Sequence, residues 1–493
     1  MGVLTGEAAA STADLTNAVR RLARVSVLVV GDAMLDRYVY GEVRRISPEA
    51  PIPILTVERD VAMPGGAGNV VRNLTALGAA VAFVSVLGDD QAGSDLTGLI
   101  GGQPNVEPWM LVQGGRTTTT KTRYIAQGQQ LLRADHEEIQ PIHVKLAERL
   151  VRITQDAMLA TTVTVLSDYN KGVFAGDVPA RIIAAARAAG RKVIVNPKGA
   201  DYSRYAGADI ITPNRRELRE ATGMPVDTVE GLIAAAESLR AAHGFTAVLV
   251  TRAEDGMSLV MHNEVHHFPA EAVEVFDVSG AGDTVVAALA AGIAAGLPLP
   301  VAARLANVAA GVVVGKVGTA VARESDLLAA LSPQGSALRK IVTVQQAAEQ
   351  AERWRQRGWR VGFTNGCFDL LHPGHIHLLE GARNQCDRLI VGLNSDASVQ
   401  RLKGPARPVQ QEAARAAVLG GVAAVDLVCI YDEDTPEQTL QAVRPDLLVK
   451  GADYTIETVI GAAFVQSYGG RVMLADIVPG FSTTATVQRL RSV

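Results

Sequence analysis

The sequence predicts an α/β protein built as two successive units. Short apolar runs recur along the chain, and helical patterns fall between several of them. The series then halts at a polar cluster, Leu331-Ser332-Pro333-Gln334-Gly335-Ser336, and starts again. Strands that are apolar throughout are buried on both faces, and helical crossovers between them imply a largely parallel sheet. At 493 residues the chain is too long for one ordinary domain. Ala, Val, Leu and Gly dominate over aromatic residues, which suits close packing of helices on a sheet.

The first strand is the run at 27–30, which ends at Gly31-Asp32. Further strands are expected at 81–86, 163–166, 193–195, 209–211 and 247–250, with helices at 178–189 and 229–242 between some of them. Residues 284–303 carry no charge and are about long enough to span a bilayer. They are mostly Ala and Gly and are broken by Pro298 and Pro300, so a buried helix explains them better than a membrane span. A linker is placed at 332–343, between a first domain at 1–331 and a second at 344–493. The second opens with a helix at 344–357, followed by strands at 360–364, 388–393, 427–430, 447–450 and 472–474.

The bulk properties exclude several classes. The net charge of −4 is spread along the chain without a basic tract, so nucleic acid is not expected as a partner. The N-terminus has no basic stretch followed by an apolar core, so no signal peptide is expected, and the chain is assigned to the cytoplasm. Cys367, Cys386 and Cys429 show no Cys-x-x-Cys or zinc-like spacing and read as free thiols.

Two motifs carry chemistry. Asp277-Val278-Ser279-Gly280-Ala281-Gly282-Asp283-Thr284 precedes the long apolar stretch. Its glycines let backbone N–H groups face an anion, and a helix N-terminus adds positive potential there. Asp283 then stands where a carboxylate can take a proton from a hydroxyl. A Gly-rich turn capping a buried helix is the plain alternative. Phe363-Thr364-Asn365-Gly366-Cys367-Phe368-Asp369-Leu370-Leu371-His372-Pro373-Gly374-His375 follows a strand in the second half. Two histidines bracketing Pro-Gly at a helix start can donate hydrogen bonds to phosphate oxygens as charge builds on them. A metal pair is the alternative, but no third ligand is evident.

Other turns extend the first motif: Gly31-Asp32-Ala33-Met34-Leu35-Asp36, Pro64-Gly65-Gly66-Ala67-Gly68-Asn69 and Asn214-Arg215-Arg216-Glu217. Together they resemble the ribokinase-like (PfkB) carbohydrate kinases over about 27–330. The resemblance implies a ribokinase-like fold with Asp283 as general base and Gly280, Ala281 and Gly282 as the anion hole. It implies that Asp36, Gly65, Gly66 and Asn69 contact the sugar. It places Asn214, Arg215, Arg216 and Glu217 at ATP. Arg45-Ile46-Ser47-Pro48-Glu49, Leu166-Ser167-Asp168-Tyr169-Asn170-Lys171-Gly172 and 311–319 look like the heptose-phosphate branch, which makes Arg133, Lys171 and Lys198 candidate phosphate partners. Asn196 departs from that branch's usual Asp.

The second motif, with Phe481-Ser482-Thr483-Thr484, resembles the cytidylyltransferase-like nucleotidyltransferases from about 361 to the C-terminus. That implies a Rossmann-like α/β domain in which His372 and His375 stabilise the α-phosphate transition state. Asn365, Gly366, Phe368, Lys403, Arg407, Ser482, Thr483 and Thr484 would bind the nucleotide. Ala452, Gln410 and Gln411 depart from the usual pattern.

The two halves in this order are similar to bifunctional heptose-phosphate kinase–adenylyltransferases. The resemblance implies ATP and Mg²⁺ in both halves, heptose phosphates as substrates, ADP-heptose for lipopolysaccharide core as the outcome, a separate phosphatase between the two steps, and a homodimer. A related enzyme acting on another sugar phosphate, or using CTP, fits the same motifs.

Overall fold

The computed structural model describes residues 4–5, 12–127, 129–271, 277–316, 320–332, 337–338, 340–356, 358–451 and 455–475. It divides into two compact units, Met1–Ala330 and Leu331–Val493.

The first unit is built on a ten-stranded sheet. In spatial order its strands are Leu4–Thr5, Glu264–Phe268, Met257–Met261, Ala247–Thr251, Ile210–Ile211, Lys192–Asn196, Val163–Ser167, Ser26–Gly31, Ala80–Gly88 and Val106–Gln113. Each expected strand of this unit falls within that set. The pairing is parallel except where Met257–Met261 meets its two neighbours, a hairpin the apolar runs did not predict. Leu28, Val30, Leu166, Val193, Val195, Val248 and Val250 are buried together with apolar residues of the covering helices, which is why these strands read as unbroken apolar runs.

Gly31 ends the central strand where no side chain fits. A Cβ there would stand 2.1 Å from the Ser167 carbonyl oxygen. The close approach lets Asp32 N–H donate to that oxygen at 3.1 Å and turns the chain at the carboxyl edge of the sheet.

A second sheet was not legible beforehand. The long hairpin Ala33–Ile46/Pro53–Gly66 is joined by Thr120–Ala126 and Gln129–His136. Gln129–His136 is exposed along its whole length, so it lacks the apolar alternation that marks a half-buried strand. The uncharged stretch 284–303 also differs from expectation. Two buried helices, Ala281–Ala294 and Leu299–Val314, occupy it, with Gly296 in a left-handed turn and Pro298 preceding the second helix. No helix among the described residues is long and apolar enough to cross a membrane.

The second unit is an all-parallel six-stranded sheet in the order Ile341–Val342, Leu427–Tyr431, Arg388–Asn394, Val361–Gly366, Leu447–Gly451, Arg471–Ala475. Ile341 and Val342 therefore belong to the sheet and not to a linker, pairing with Val428 and Cys429. Residues 333–336 lie outside the described residues. Strand order reverses about Val361–Gly366: the chain steps to Arg388–Asn394 and Leu427–Tyr431 on one side of it, then to Leu447–Gly451 and Arg471–Ala475 on the other. In such sheets the ligand crevice forms at the carboxyl ends beside that reversal.

Candidate active sites

In the first unit, the carboxyl ends of the central strands meet the start of helix Ala281–Ala294. Gly280 caps this helix in a left-handed conformation, φ 80°, which favours glycine. The first-turn N–H groups of a helix have no carbonyl ahead of them. Here Ala281 N–H turns back to the Val278 carbonyl at 3.2 Å, so the donors left to face an anion are those of Gly282 and Asp283. A Cβ at Gly282 would touch nothing, so the approach to its amide is open. Ala281 N–H, one of the expected anion-hole donors, is thus engaged within the turn.

Asp283 is buried and held at both oxygens. Asn69 Nδ2 donates to Oδ2 at 2.9 Å, and the Tyr169 hydroxyl donates to Oδ1 in a short hydrogen bond. Burial pushes its pKa up to about 6, the two hydrogen bonds pull against that, and the charge of Asp36 adds to it. Asn69 is itself set by Arg72, which donates to its Oδ1 at 3.1 Å. Asn69, which the resemblance places at the sugar, thus holds Asp283 through its amide.

A cavity of about 180 Å³ opens onto Asp283, Gly280 and Gly282. Its other walls include Asp168, Tyr169, Asn196, Lys198, Asn214 and Glu217. Asn214 and Glu217 form a reciprocal cap at the start of helix Arg215–Thr222: Glu217 N–H donates to Asn214 Oδ1 at 2.9 Å, and Asn214 N–H to Glu217 Oε2 at 3.0 Å. The other Glu217 oxygen receives Lys198 Nζ at 3.0 Å. Asn214→Ala removes half of this cap and is expected to cost about 1 kcal/mol, read as a lower Tm of the first unit.

Asp36 lies on the hairpin, buried, with Arg123 Nη1 on its Oδ1 at 2.7 Å. Gly65 is required beside it, since a Cβ there would stand 2.1 Å from Asp36 Oδ2. Gly66 has φ 57° and starts helix Ala67–Ala76.

Ala281, Asp36, Gly65, Gly66 and Asn69 are not among the residues lining the cavity, nor are four predicted cations, Arg215, Arg216, Arg133 and Lys171. Arg215 pairs with Asp255 at 3.0 Å, and Arg216 with Glu220 at 2.7 Å on the surface. Arg133 is bidentate on Asp135 along the exposed strand, and Lys171 pairs with Glu137 at 2.9 Å.

Sequence reasoning read the carboxylates of Asp32 and Asp36 as able to hold sugar hydroxyls and gave Asp168 no role. Asp32 is buried and accepts three backbone N–H bonds, from Tyr169 at 2.9 Å and from Lys171 and Val173 at 3.1 Å each. Asp168 accepts Asn170 N–H at 2.7 Å and the Tyr205 hydroxyl at 2.6 Å. The signal was available: Ser167-Asp168-Tyr169-Asn170 is a polar run at the carboxyl end of a buried strand, where ligands gather.

In the second unit, His372 precedes helix Pro373–Arg383 and Pro373 takes its first position. The imidazoles of His372 and His375 stack at 3.8 Å between centroids, with planes 18° apart. Burial lowers the pKa of both, and that of His375 falls to about 4 with the charges of His372 and Lys403 adding. Both rings are therefore neutral hydrogen-bond donors near pH 7. Lys403 ends helix Asp396–Lys403. Its effect on His375 puts a positive charge beside the pair.

Asn365 ends the strand at the reversal, its amide donating to the Tyr431 hydroxyl at 2.9 Å, with its own Oδ1 buried and unpartnered. A Cβ on Gly366 would stand 3.2 Å from the Phe368 ring. The side chain of Phe368, expected in the nucleotide-binding turn, is buried in the core with Leu379 and Leu393, and its ring is tilted by 56° against that of His375.

Arg407, expected as a mobile phosphate contact, is buried. Its Nε donates to Asp369 Oδ2 at 2.6 Å, while Val409 and Gln410 N–H groups donate to the other oxygen at 2.7 and 3.0 Å. Arg415 is the larger omission. Fully buried, it reaches the carbonyls of Cys367, Asn394 and Gln410 at 2.7, 2.9 and 3.0 Å and Asp396 at 2.6 Å, joining the histidine turn to two flanking loops. One arginine inside a helix that otherwise reads as Ala-rich gave no hint of this. Ser482, Thr483, Thr484 and Ala452 lie outside the described residues.

Against known proteins, residues 25–326 match the pfkB family carbohydrate kinase model and residues 363–488 the cytidylyltransferase-like model. The bifunctional protein HldE of Acidiphilium cryptum is 69% identical over 97% of this chain and 99% of its own. That of Paramagnetospirillum magneticum is 58% identical over 97% and 98%. Among solved structures, Arabidopsis thaliana ribokinase complexed with ribose and ATP aligns with a TM-score of 0.50 at 23% identity, over 62% of this chain and 99% of its own. The tetrameric inhibited form of Escherichia coli phosphofructokinase-2 aligns at 0.52 and 19% identity, over the same 62% and 99%. At that identity the two structures speak to the fold of the first unit alone.

Proposed function

Because the chain belongs to the bifunctional HldE family, a pfkB carbohydrate kinase followed by a cytidylyltransferase-like domain, we propose that it performs two steps of ADP-heptose biosynthesis. The first unit transfers the γ-phosphoryl group of ATP to the C1 hydroxyl of D-glycero-β-D-manno-heptose 7-phosphate, giving the 1,7-bisphosphate. The second joins the adenylyl group of ATP to D-glycero-β-D-manno-heptose 1-phosphate, giving ADP-heptose for lipopolysaccharide core and releasing pyrophosphate.

The observation that carries the reading is the placement of Asp283. It is a buried carboxylate at the head of a helix whose Gly282 amide faces an open cavity. Asp283 takes the proton of the C1 hydroxyl as the bond to phosphorus forms. The Gly282 and Asp283 N–H groups and the positive end of the helix offset charge on the transferring phosphoryl. Asn214 and Glu217 are assigned to the nucleotide side of the cavity, and Lys198, beside Glu217 on the same wall, to the phosphate of the sugar. In the second unit His372 and His375 donate to the α-phosphate oxygens, where charge builds as pyrophosphate leaves.

Mg²⁺ is proposed with the nucleotide in both halves. Among the described residues no three His, Cys, Asp or Glu form a cluster that could hold a metal. Asp168 and Glu217 stand on the cavity wall and would supply carboxylates to an ion held chiefly by phosphates and water. When bound it neutralises phosphate charge.

The kinase product bears two phosphates and the second unit takes one, so a separate phosphatase acts between them. A homodimer in the cytoplasm completes the reading.

Phosphorus NMR with Mg-ATP and heptose 7-phosphate, then with heptose 1-phosphate, tests both halves. New bisphosphate in the first and ADP-heptose with pyrophosphate in the second are expected. Turnover of a different sugar phosphate only, or of CTP only, would overturn the substrate assignment. Because Asp283 acts as a carboxylate and its pKa stands at about 6, kinase kcat/KM is expected to fall about tenfold per unit below that pH. A profile flat down to pH 4 would contradict the base.

A further inference from the structure

We propose that Tyr169 is a positioning residue for the kinase reaction, and that its phenol holds Asp283 in place and in the ionised form needed to accept the sugar proton. The inference rests on Asp283 being the base.

The geometry has three parts. The Tyr169 hydroxyl donates to Asp283 Oδ1, while Oδ2 takes the Asn69 amide, so the carboxylate is gripped from both sides. Tyr169 is itself fixed at its backbone, because its N–H and those of Lys171 and Val173 converge on Asp32. Asn170, the next residue, has φ 56° and donates to Asp168. A buried carboxylate on each side thus folds the loop so that the phenol points back at the base. The two residues are 114 positions apart and meet only through the sheet.

A carboxylate as buried as Asp283 resists ionisation, and hydrogen bonds to its charged form are what restore it. The groups facing it are the Tyr169 phenol, the neutral Asn69 amide and the Asp36 carboxylate, whose own partner is Arg123. Asp36 raises the proton affinity of Asp283, and Asn69 is shared with Arg72. Burial and the neighbouring Asp283 push the pKa of the phenol itself well above its ordinary value. It therefore remains a donor throughout the working range and cannot be the proton acceptor.

The test is the pH profile of kinase kcat/KM in the full-length enzyme. In Tyr169→Phe the acidic limb is expected to move up by roughly one to two units, the size of one hydrogen bond to a charged group. Adenylyl transfer by the same preparation should be unchanged. Site-specific 3-fluorotyrosine at 169 keeps the shape of the residue, makes the phenol a stronger donor and should move the limb down. Limbs that superimpose on the parent in both proteins would overturn the proposal. So would a Tyr169→Phe enzyme that loses kinase turnover at every pH while fluorotyrosine leaves the limb in place, since that marks a merely structural role. Full kinase turnover in Asp283→Asn is a different failure: it removes the base, and this inference with it.

Discussion

Asp283→Asn is expected to lower heptose-phosphate kinase turnover by roughly 10²–10⁴-fold, the span of a general base lost from a positioned site. Asparagine keeps the volume and can still accept from one of Asn69 and Tyr169, so the fold should be largely kept. What it cannot do is accept the C1 proton. Its amide also presents a donor to one of two groups that now donate to the carboxylate. The loss should fall on kcat, because the groups assigned to binding, Asn214 and Glu217 at the nucleotide and Lys198 at the sugar phosphate, are untouched. Adenylyl transfer, measured in the same tube with heptose 1-phosphate, should stay at the parental rate. Kinase turnover within a factor of about three of the parent would show that the proton leaves by another route.

His375→Ala should produce the mirror image. Adenylyl transfer is expected to drop by roughly 10²–10³-fold, the effect of removing one preorganised donor from a developing oxyanion, with kinase turnover intact. The imidazole lies between the His372 ring, the Phe368 ring and the charge of Lys403. Its depressed pKa keeps it a neutral donor, so the parental rate should show no step from His375 between pH 6 and 8. A separate His372→Ala variant should lose a comparable amount, and the double variant less than the product of the two, because stacked donors act on one phosphate. Unchanged pyrophosphate release in His375→Ala would remove the histidine from the transition state.

The parts that were legible in the sequence share a physical cause. The strand Ser26–Gly31 is buried on both faces, so its apolar run could only be a strand at the centre of a covered sheet. The same holds for Leu427–Tyr431 and Leu447–Gly451. Gly280 and the Pro373-Gly374 pair mark helix starts by local backbone demands, which travel with the residues themselves. The second sheet was missed because its outer strand is wet on both sides.

The site divides along the same line. The residue types fixed the chemistry: a carboxylate at a Gly-rich helix start and paired histidines after a strand can be read without coordinates, because each motif is contiguous. The settings of those groups are made by residues far off in the chain. Tyr169 and Asn69 reach Asp283 across 114 and 214 positions. Arg415 reaches Cys367 across 48. Arg407, which reads as a free cation on a loop, is decided by Asp369 lying buried beside it. A buried charge must find a partner, but which partner it finds depends on how the strands are ordered. That order is a property of the folded sheet, and it alone determined which polar groups line the cavity and which hold the others in place.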